Sequence, residues 1–204
     1  MSSRLILTIS LFIGLIQTIV AQFSNPSSHS VYAQFTHGNG SHDIYSASLT
    51  HINKRGFSIT LQSTNESRNS KNLPADYEPG WSIMGDGIPD VSISTKSLLV
   101  GKVFEEKSKL LRFNLQGGIC YGTIERPVNF VKQSRRSFFG TTSYYYDYEL
   151  QKNRFIGLML NPTMDIMISR MIGFSTGILA NINHQTITMG AQFSLQVGFI
   201  RKSR

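Results

Sequence analysis

Ile187-Thr-Met-Gly-Ala-Gln-Phe-Ser-Leu-Gln-Val-Gly-Phe199 places an apolar residue at every odd position and a polar residue or glycine at every even one. Alternation of period two marks a β-strand with one greasy face. The opposite face, Thr188, Gly190, Gln192, Ser194, Gln196 and Gly198, carries no charge. The outer face of a soluble sheet carries Lys, Glu and Asp, whereas a strand with lipid on one side and a packed polar interior on the other reads like this one. Ile187, Met189, Ala191, Phe193, Leu195, Val197 and Phe199 are therefore expected to face lipid, with Gln192, Ser194 and Gln196 inside.

The same pattern recurs toward the N-terminus. Residues 171–183 place Ile172, Phe174, Thr176, Ile178, Ala180 and Ile182 on one face, with Leu179 as the misfit, and residues 155–169 do so with Ile156, Leu158, Leu160, Met164, Ile166 and Ile168. Pro162 interrupts the latter, predicting a bulge or weakened pairing because proline cannot donate to a ladder. Ser169-Arg170-Met171 reads as a tight hairpin. Further strands are expected at residues 109–124, 91–104, 57–62, 45–50 and 31–36, eight in all. The phase of 91–104 is blurred by Leu98-Leu99-Val100.

The connections alternate in length. His37–Ser41, Asn53–Arg55, Glu105–Ser108, Ser169–Met171 and His184–Thr186 are short, whereas Asn65–Asp90 and Glu125–Asn153 are long and fall on the same end of an up-and-down meander. Short turns at one end and long loops at the other are the habit of outer-membrane barrels. Phe57, Phe113 and Phe199, outward-phased beside short turns or the C-terminus, would form an aromatic girdle there.

Arg4 precedes an apolar run, Leu5 to Val20, that ends at Ala21-Gln22 and reads as a signal peptide over residues 1–21, leaving residues 22–204 as one exported domain. No later apolar run is long enough for a membrane helix. Cys120 is the single cysteine, so an exported fold must be secured without an internal disulfide, and closing a sheet on itself does this by removing its edges. The formal net charge is +8, but the basic residues are scattered over turns, loops and the tail rather than gathered on one element. This argues against nucleic acid and suits anionic lipid headgroups or surface polysaccharide, with solvated turn residues as the plainer reading.

With this signal peptide, this rhythm of strands and loops, and a last strand closing on Phe193-Ser-Leu195-Gln-Val197-Gly-Phe199, the chain resembles the small eight-stranded outer membrane β-barrel proteins of Gram-negative bacteria. The resemblance implies an all-β, antiparallel, up-and-down transmembrane barrel in the cell envelope, inserted by the barrel assembly machinery and bounded by outer-membrane lipid and lipopolysaccharide. It implies a monomer with a structural, adhesion or surface-binding role, exerted through the two long loops. Ile200-Arg-Lys-Ser-Arg204 follows the terminal aromatic residue of the family pattern. Some barrels of this size are lipid A deacylases or acyltransferases, which is the alternative function.

Catalytic chemistry finds little support. Gly173-Phe-Ser175-Thr-Gly177 matches the nucleophile-elbow pattern, but that mechanism needs a sharp strand-to-helix turn and this serine sits mid-strand. The five histidines have no metal-ligand spacing, and no cofactor is expected. Asp76, Glu78, Asp86 and Asp90 are the acids that could gather round calcium, although solvated loop acids are the simpler reading. Arg135 and Arg136 with Tyr144, Tyr145, Tyr146 and Tyr148, in a loop that also holds Arg126, Lys132, Phe138 and Phe139, form a candidate external binding loop for a carbohydrate or protein ligand, an interfacial belt extended above the bilayer being the equal alternative. Inside the barrel, Arg112 and Asp165 share the inward phase of neighbouring strands. An unpartnered inward charge is costly, so an Arg112–Asp165 ion pair is predicted to plug the lumen, with Lys96 or Lys102 as competitors.

Overall fold

The computed structural model describes residues 23–24, 26, 29–77, 88–106, 110–136 and 142–200, with the side chains of all but 23–24, 135–136 and 142–144. Residues 1–22, 25, 27–28, 78–87, 107–109, 137–141 and 201–204 lie outside them, and with them the expected signal peptide. Nine strands are present among the described residues: β1 (Phe23–Ser24), β2 (Ser30–Gly40), β3 (Asp43–Ile52), β4 (Phe57–Asn69), β5 (Asp90–Glu106), β6 (Leu111–Arg136), β7 (Thr142–Met167), β8 (Ile172–Asn183) and β9 (Ile187–Phe199). From β2 to β9 each strand pairs antiparallel with the next, and β2 also pairs with β9. The result is a closed eight-stranded barrel. β1 adds a two-residue bridge to the end of β5.

Local chemistry sets the turns. Asn53 Oδ1 accepts the amides of Arg55 and Phe57 at 2.9 and 3.0 Å, and Gly56 takes a φ of 78° that a side chain would resist. Ser169 Oγ accepts the amides of Met171 and Ile172 at 3.1 and 2.9 Å. Asn183 Oδ1 does the same for Gln185 and Thr186. Each side chain satisfies amides that the hairpin would otherwise leave unpaired.

The apolar face is outside. Ile187, Met189, Phe193 and Phe199 of β9 are 57–73 % exposed, and Gln192, Ser194 and Gln196 are at most 4 % exposed. Phe57 and Phe113 also face outward, at 57 % and 41 %. On β5 the inward residues are Val91, Ile93, Thr95, Ser97, Leu99, Val103 and Glu105, while Lys96 and Leu98 are exposed and Lys102 is half-buried on the outer face. The lysines therefore do not compete in the lumen. β7 and β8 keep one register across Pro162 but lose their pairing between Leu160↔Ala180 and Thr163↔Gly177, the local weakening expected of proline.

Buried side chains gather inside the barrel in two apolar clusters. One apolar cluster holds Ile44, Ile93, Leu99, Ile124, Phe155, Met159 and Leu179, so the misfit Leu179 is an interior residue. Gly122 makes room for that cluster, since a Cβ there would meet Phe155 Cζ at 2.6 Å. A second cluster, Tyr32, Ile52, Val103, Met167 and Ile200, gathers residues near the short-turn end. Ile200, first residue of the tail, accepts a hydrogen bond on its carbonyl from Ser30 Oγ at 2.6 Å and is fully buried. A polar network also crosses the interior: Gln192 Nε2 donates to Asn161 Oδ1, Asn161 Nδ2 to Gln62 Oε1 at 3.3 Å, and Gln62 Nε2 to Thr64 Oγ1 at 3.0 Å. It links β9, β7 and β4.

Candidate functional site: the β6–β7 arm and the interior charges

The connection expected as a loop over Glu125–Asn153 is mostly strand. β6 and β7 continue their ladder from Arg126↔Gln151 to Arg136↔Thr142, with a bulge between Val128 and Val131 where Asn129 takes a φ of 54°. β5 accompanies β6 only to Ser92↔Glu125, and β8 meets β7 only from Gly157↔Asn183. Above these points the hairpin is a two-stranded arm with both edges unpaired among the described residues. Both of its faces meet water, so its sequence has no apolar alternation to betray it.

The β4–β5 connection leans on this arm. Asp76 Oδ2 lies 2.6 Å from Lys132 Nζ, and Tyr146 Oη donates to Asp76 Oδ1 at 2.5 Å. Together these hold the Asp76 carboxyl down at about 2, below the usual carboxylate range. Tyr77 packs between Phe130 and Tyr146, with ring centroids 6.1 and 5.3 Å apart, and Phe130 meets Tyr148 at 5.7 Å. Of the candidate binding residues, Tyr146 thus holds the protein's own loop. Tyr145 and Tyr148 stay 46 % and 42 % exposed. The backbones of Arg135, Arg136 and Tyr144 lie in the arm, and their side chains are outside the described residues. Asp76, 56 residues from Lys132, could not be paired with it by any sequence signal.

The lumen charges rearrange the expected pair. Arg112 and Asp165 are register partners and both are 1 % exposed. Yet the guanidinium donates from Nε and Nη2 to Glu105 Oε1, at 3.0 and 2.9 Å. The sequence pattern assigns Glu105 to the turn after β5. The strand instead runs to Glu106, and its inward phase sets Glu105 opposite Arg112 on the other flank of β6. Asp165 accepts a hydrogen bond from Thr163 Oγ1 at 3.1 Å instead.

Other candidates come apart. Ser175 of the Gly-x-Ser-x-Gly match is buried inside the barrel on an unbroken strand, with no turn to expose it. Asp76 belongs to the arm contact, Asp90 begins β5, and Glu78 and Asp86 lie outside the described residues. Among the described residues no group of His, Cys, Asp and Glu side chains could hold a metal ion.

No protein-family model matches the chain, and no curated protein sequence does. Solved structures do match. The N-terminal β-barrel domain of OprF from Pseudomonas aeruginosa superposes with a TM-score of 0.53 at 10 % identity, covering 86 % of this chain and all of that one. This chain has the fold of the eight-stranded outer-membrane barrels. Ail from Yersinia pestis gives a TM-score of 0.48 in its lipid-nanodisc structure, at 9 % identity over 84 % of this chain and all of Ail. Its complex with the heparin analogue sucrose octasulfate gives 0.43 at 11 % identity, over 84 % of this chain and 96 % of that one.

Proposed function

We propose that this chain is an integral outer-membrane protein, exported on a signal peptide over residues 1–21, whose monomeric barrel anchors the β6–β7 arm for contact with a carbohydrate or protein ligand outside the cell. The observation that carries the reading is the outward apolar surface of a closed barrel, continued at one end by a stiffened two-stranded arm. An apolar surface encircling a filled barrel has lipid as its natural solvent. Side chains, buried clusters and the polar network occupy the interior, so the barrel serves as an anchor rather than a pore. The C-terminal strand suits recognition by the barrel assembly machinery, and the basic surface suits lipopolysaccharide.

The arm supports adhesion or surface binding by its construction. Beyond its last pairings with the neighbouring barrel strands among the described residues, the arm offers a template for an added strand, while Tyr145 and Tyr148 offer rings for stacking on a sugar or protein face. The Asp76 contact holds one face of the arm in place, which lowers the ordering cost of binding. The test is to replace residues 128–150 by a short turn, insert both proteins in nanodiscs, and probe glycan and extracellular-matrix protein arrays. The full chain is expected to bind a ligand that the trimmed chain does not. Equal binding by a trimmed chain that keeps its heat-modifiable gel shift would refute the arm's role.

A further inference from the structure

We infer that the outer wall of β5–β7, where the apolar belt meets the arm, is a binding site for the phosphorylated saccharide head of an outer-leaflet lipopolysaccharide. This rests on the outer-membrane reading above. The register fixes the layout: Lys96, Tyr121 and Ile156 form one outward row, Ser94, Thr123 and Arg154 the next row toward the arm, and Leu98, Ile119 and Leu158 the row below. Lipid-facing carbon thus ends at Lys96 and Arg154. Ile156, level with Lys96, and Leu158 and Ile119 in the row below are 73 %, 56 % and 61 % exposed.

Lys96 and Arg154 are exposed, and their charged groups have no partner among the described residues. Nearby cations differ: Lys152 pairs with Glu125 at 2.7 Å, Lys132 with Asp76, and Lys102 donates to the Arg55 carbonyl. On strands spaced by about 4.8 Å, a separation of two strands and two residues sets the Cα atoms roughly 12 Å apart. Both side chains reach several ångströms, so they can converge on one phosphate between them. From the Arg154 row toward the arm the wall is concave, lined by Ser94, Thr123, Glu125, Lys152, Asn153 and Arg154.

The polar groups beyond the cations choose the occupant. Outward from the same belt edge, Ser63, Asn65, Ser92, Ser94 and Thr123 face away from the lumen, and Ser94 Oγ already donates to Asn65 Oδ1 at 2.9 Å. Uncharged hydroxyl and amide groups are poor company for lipid tails and good partners for sugar hydroxyls. A glycerophospholipid has no saccharide to lay over this wall and would be held here no better than elsewhere on the belt. A phosphorylated sugar with acyl chains running down over Ile156, Leu158 and Ile119 uses both the cations and the wall.

The test uses the folded full chain in nanodiscs, titrated by native mass spectrometry with diphosphoryl lipid A, dephosphorylated lipid A or phosphatidylglycerol. The double variant Lys96→Ser, Arg154→Ser should bind diphosphoryl lipid A at least about tenfold more weakly, the loss expected of two charge-assisted contacts. Its binding of phosphatidylglycerol should change less than about twofold, while Lys96→Arg with Arg154→Lys should recover most of the affinity. Unchanged lipid A binding by the Ser variant, or an equal loss for phosphatidylglycerol, would overturn the site. The heat-modifiable gel shift checks that each variant is folded. Sucrose-gradient fractionation of cells tests the outer-membrane reading separately: absence from that fraction defeats the reading, and presence with unaltered lipid A binding defeats only the site.

Discussion

Arg112 and Glu105 close on each other across the β5–β6 ladder inside the barrel, Nη2 2.9 Å from Oε1, with side chains 1 % and 3 % exposed. Removing one partner from a buried pair leaves an uncompensated charge, which costs about 3–5 kcal/mol, whereas replacing both by apolar residues is far cheaper. Glu105→Ala is therefore expected to lower stability by about that amount, and Glu105→Leu with Arg112→Met to recover most of it. Urea titrations of the wild-type, single-variant and double-variant proteins in lipid vesicles measure the coupling. A cycle with no coupling would mean that Arg112 is held by other groups.

The uncharged inner face and apolar outer face of β9 predict opposite responses at neighbouring positions. Phe193, 57 % exposed on the outside, is expected to cost about 2–4 kcal/mol on change to arginine if it lies at the bilayer midplane. Spin labels at 193 and 195 should be broadened by a lipid-soluble relaxation agent. Labels at 192 and 194 should not, and the reverse pattern would turn the barrel inside out.

What could be read from the sequence, and what could not, follows from where each residue meets a contrast of solvents. β7, β8 and β9 separate lipid from a packed interior over their barrel portions, so their periods are clean and their phases agree with the structure. In β5 the contrast fails locally: Leu98 and Val100 face out while Leu99 fills the interior cluster, so three successive apolar residues hide the phase. The same ambiguity hides Glu105, because a charge at the end of a strand reads as a turn until its partner is known. The arm, wet on both faces, has no period. Its contact with Asp76 depends on a loop returning in space, which no local pattern encodes.

His42, in the turn between β2 and β3, is buried, and its imidazole is pushed down to about 4, first by that burial and then by the Arg68 charge, against an opposing pull from Asp43. The unfolded chain, with an ordinary value of 6.5, then binds more protons than the folded one between these two values. Stability falls as pH drops through that window and this contribution levels off below about 4. NMR titration of the folded protein should give the His42 ring a midpoint near 4. His42→Gln should flatten that part of the stability profile, and a midpoint at the ordinary value would remove the effect.

The Asp76 contact has the opposite linkage. Its hydrogen bonds with Lys132 and Tyr146 depress the carboxyl from 3.8 to about 2, so the folded protein binds fewer protons than the unfolded chain between those values. The stabilisation is complete above about pH 4 and is lost as pH falls through about 2. Because the group is exposed to water, the effect should be local: loosening of residues 70–77 from the arm while the barrel persists. Asp76→Asn keeps a hydrogen-bond acceptor for Tyr146 but removes the charge facing Lys132, and at neutral pH it should behave as the acidified protein does. Hydrogen exchange followed by mass spectrometry is the measurement, with faster exchange expected in 70–77 and in the arm strands near Lys132 and Tyr146. Identical exchange in the Asp76→Asn variant and the wild-type protein at about pH 7, well above both carboxyl values, would show that the ring contacts of Tyr77 with Phe130 and Tyr146 hold the loop without the carboxylate.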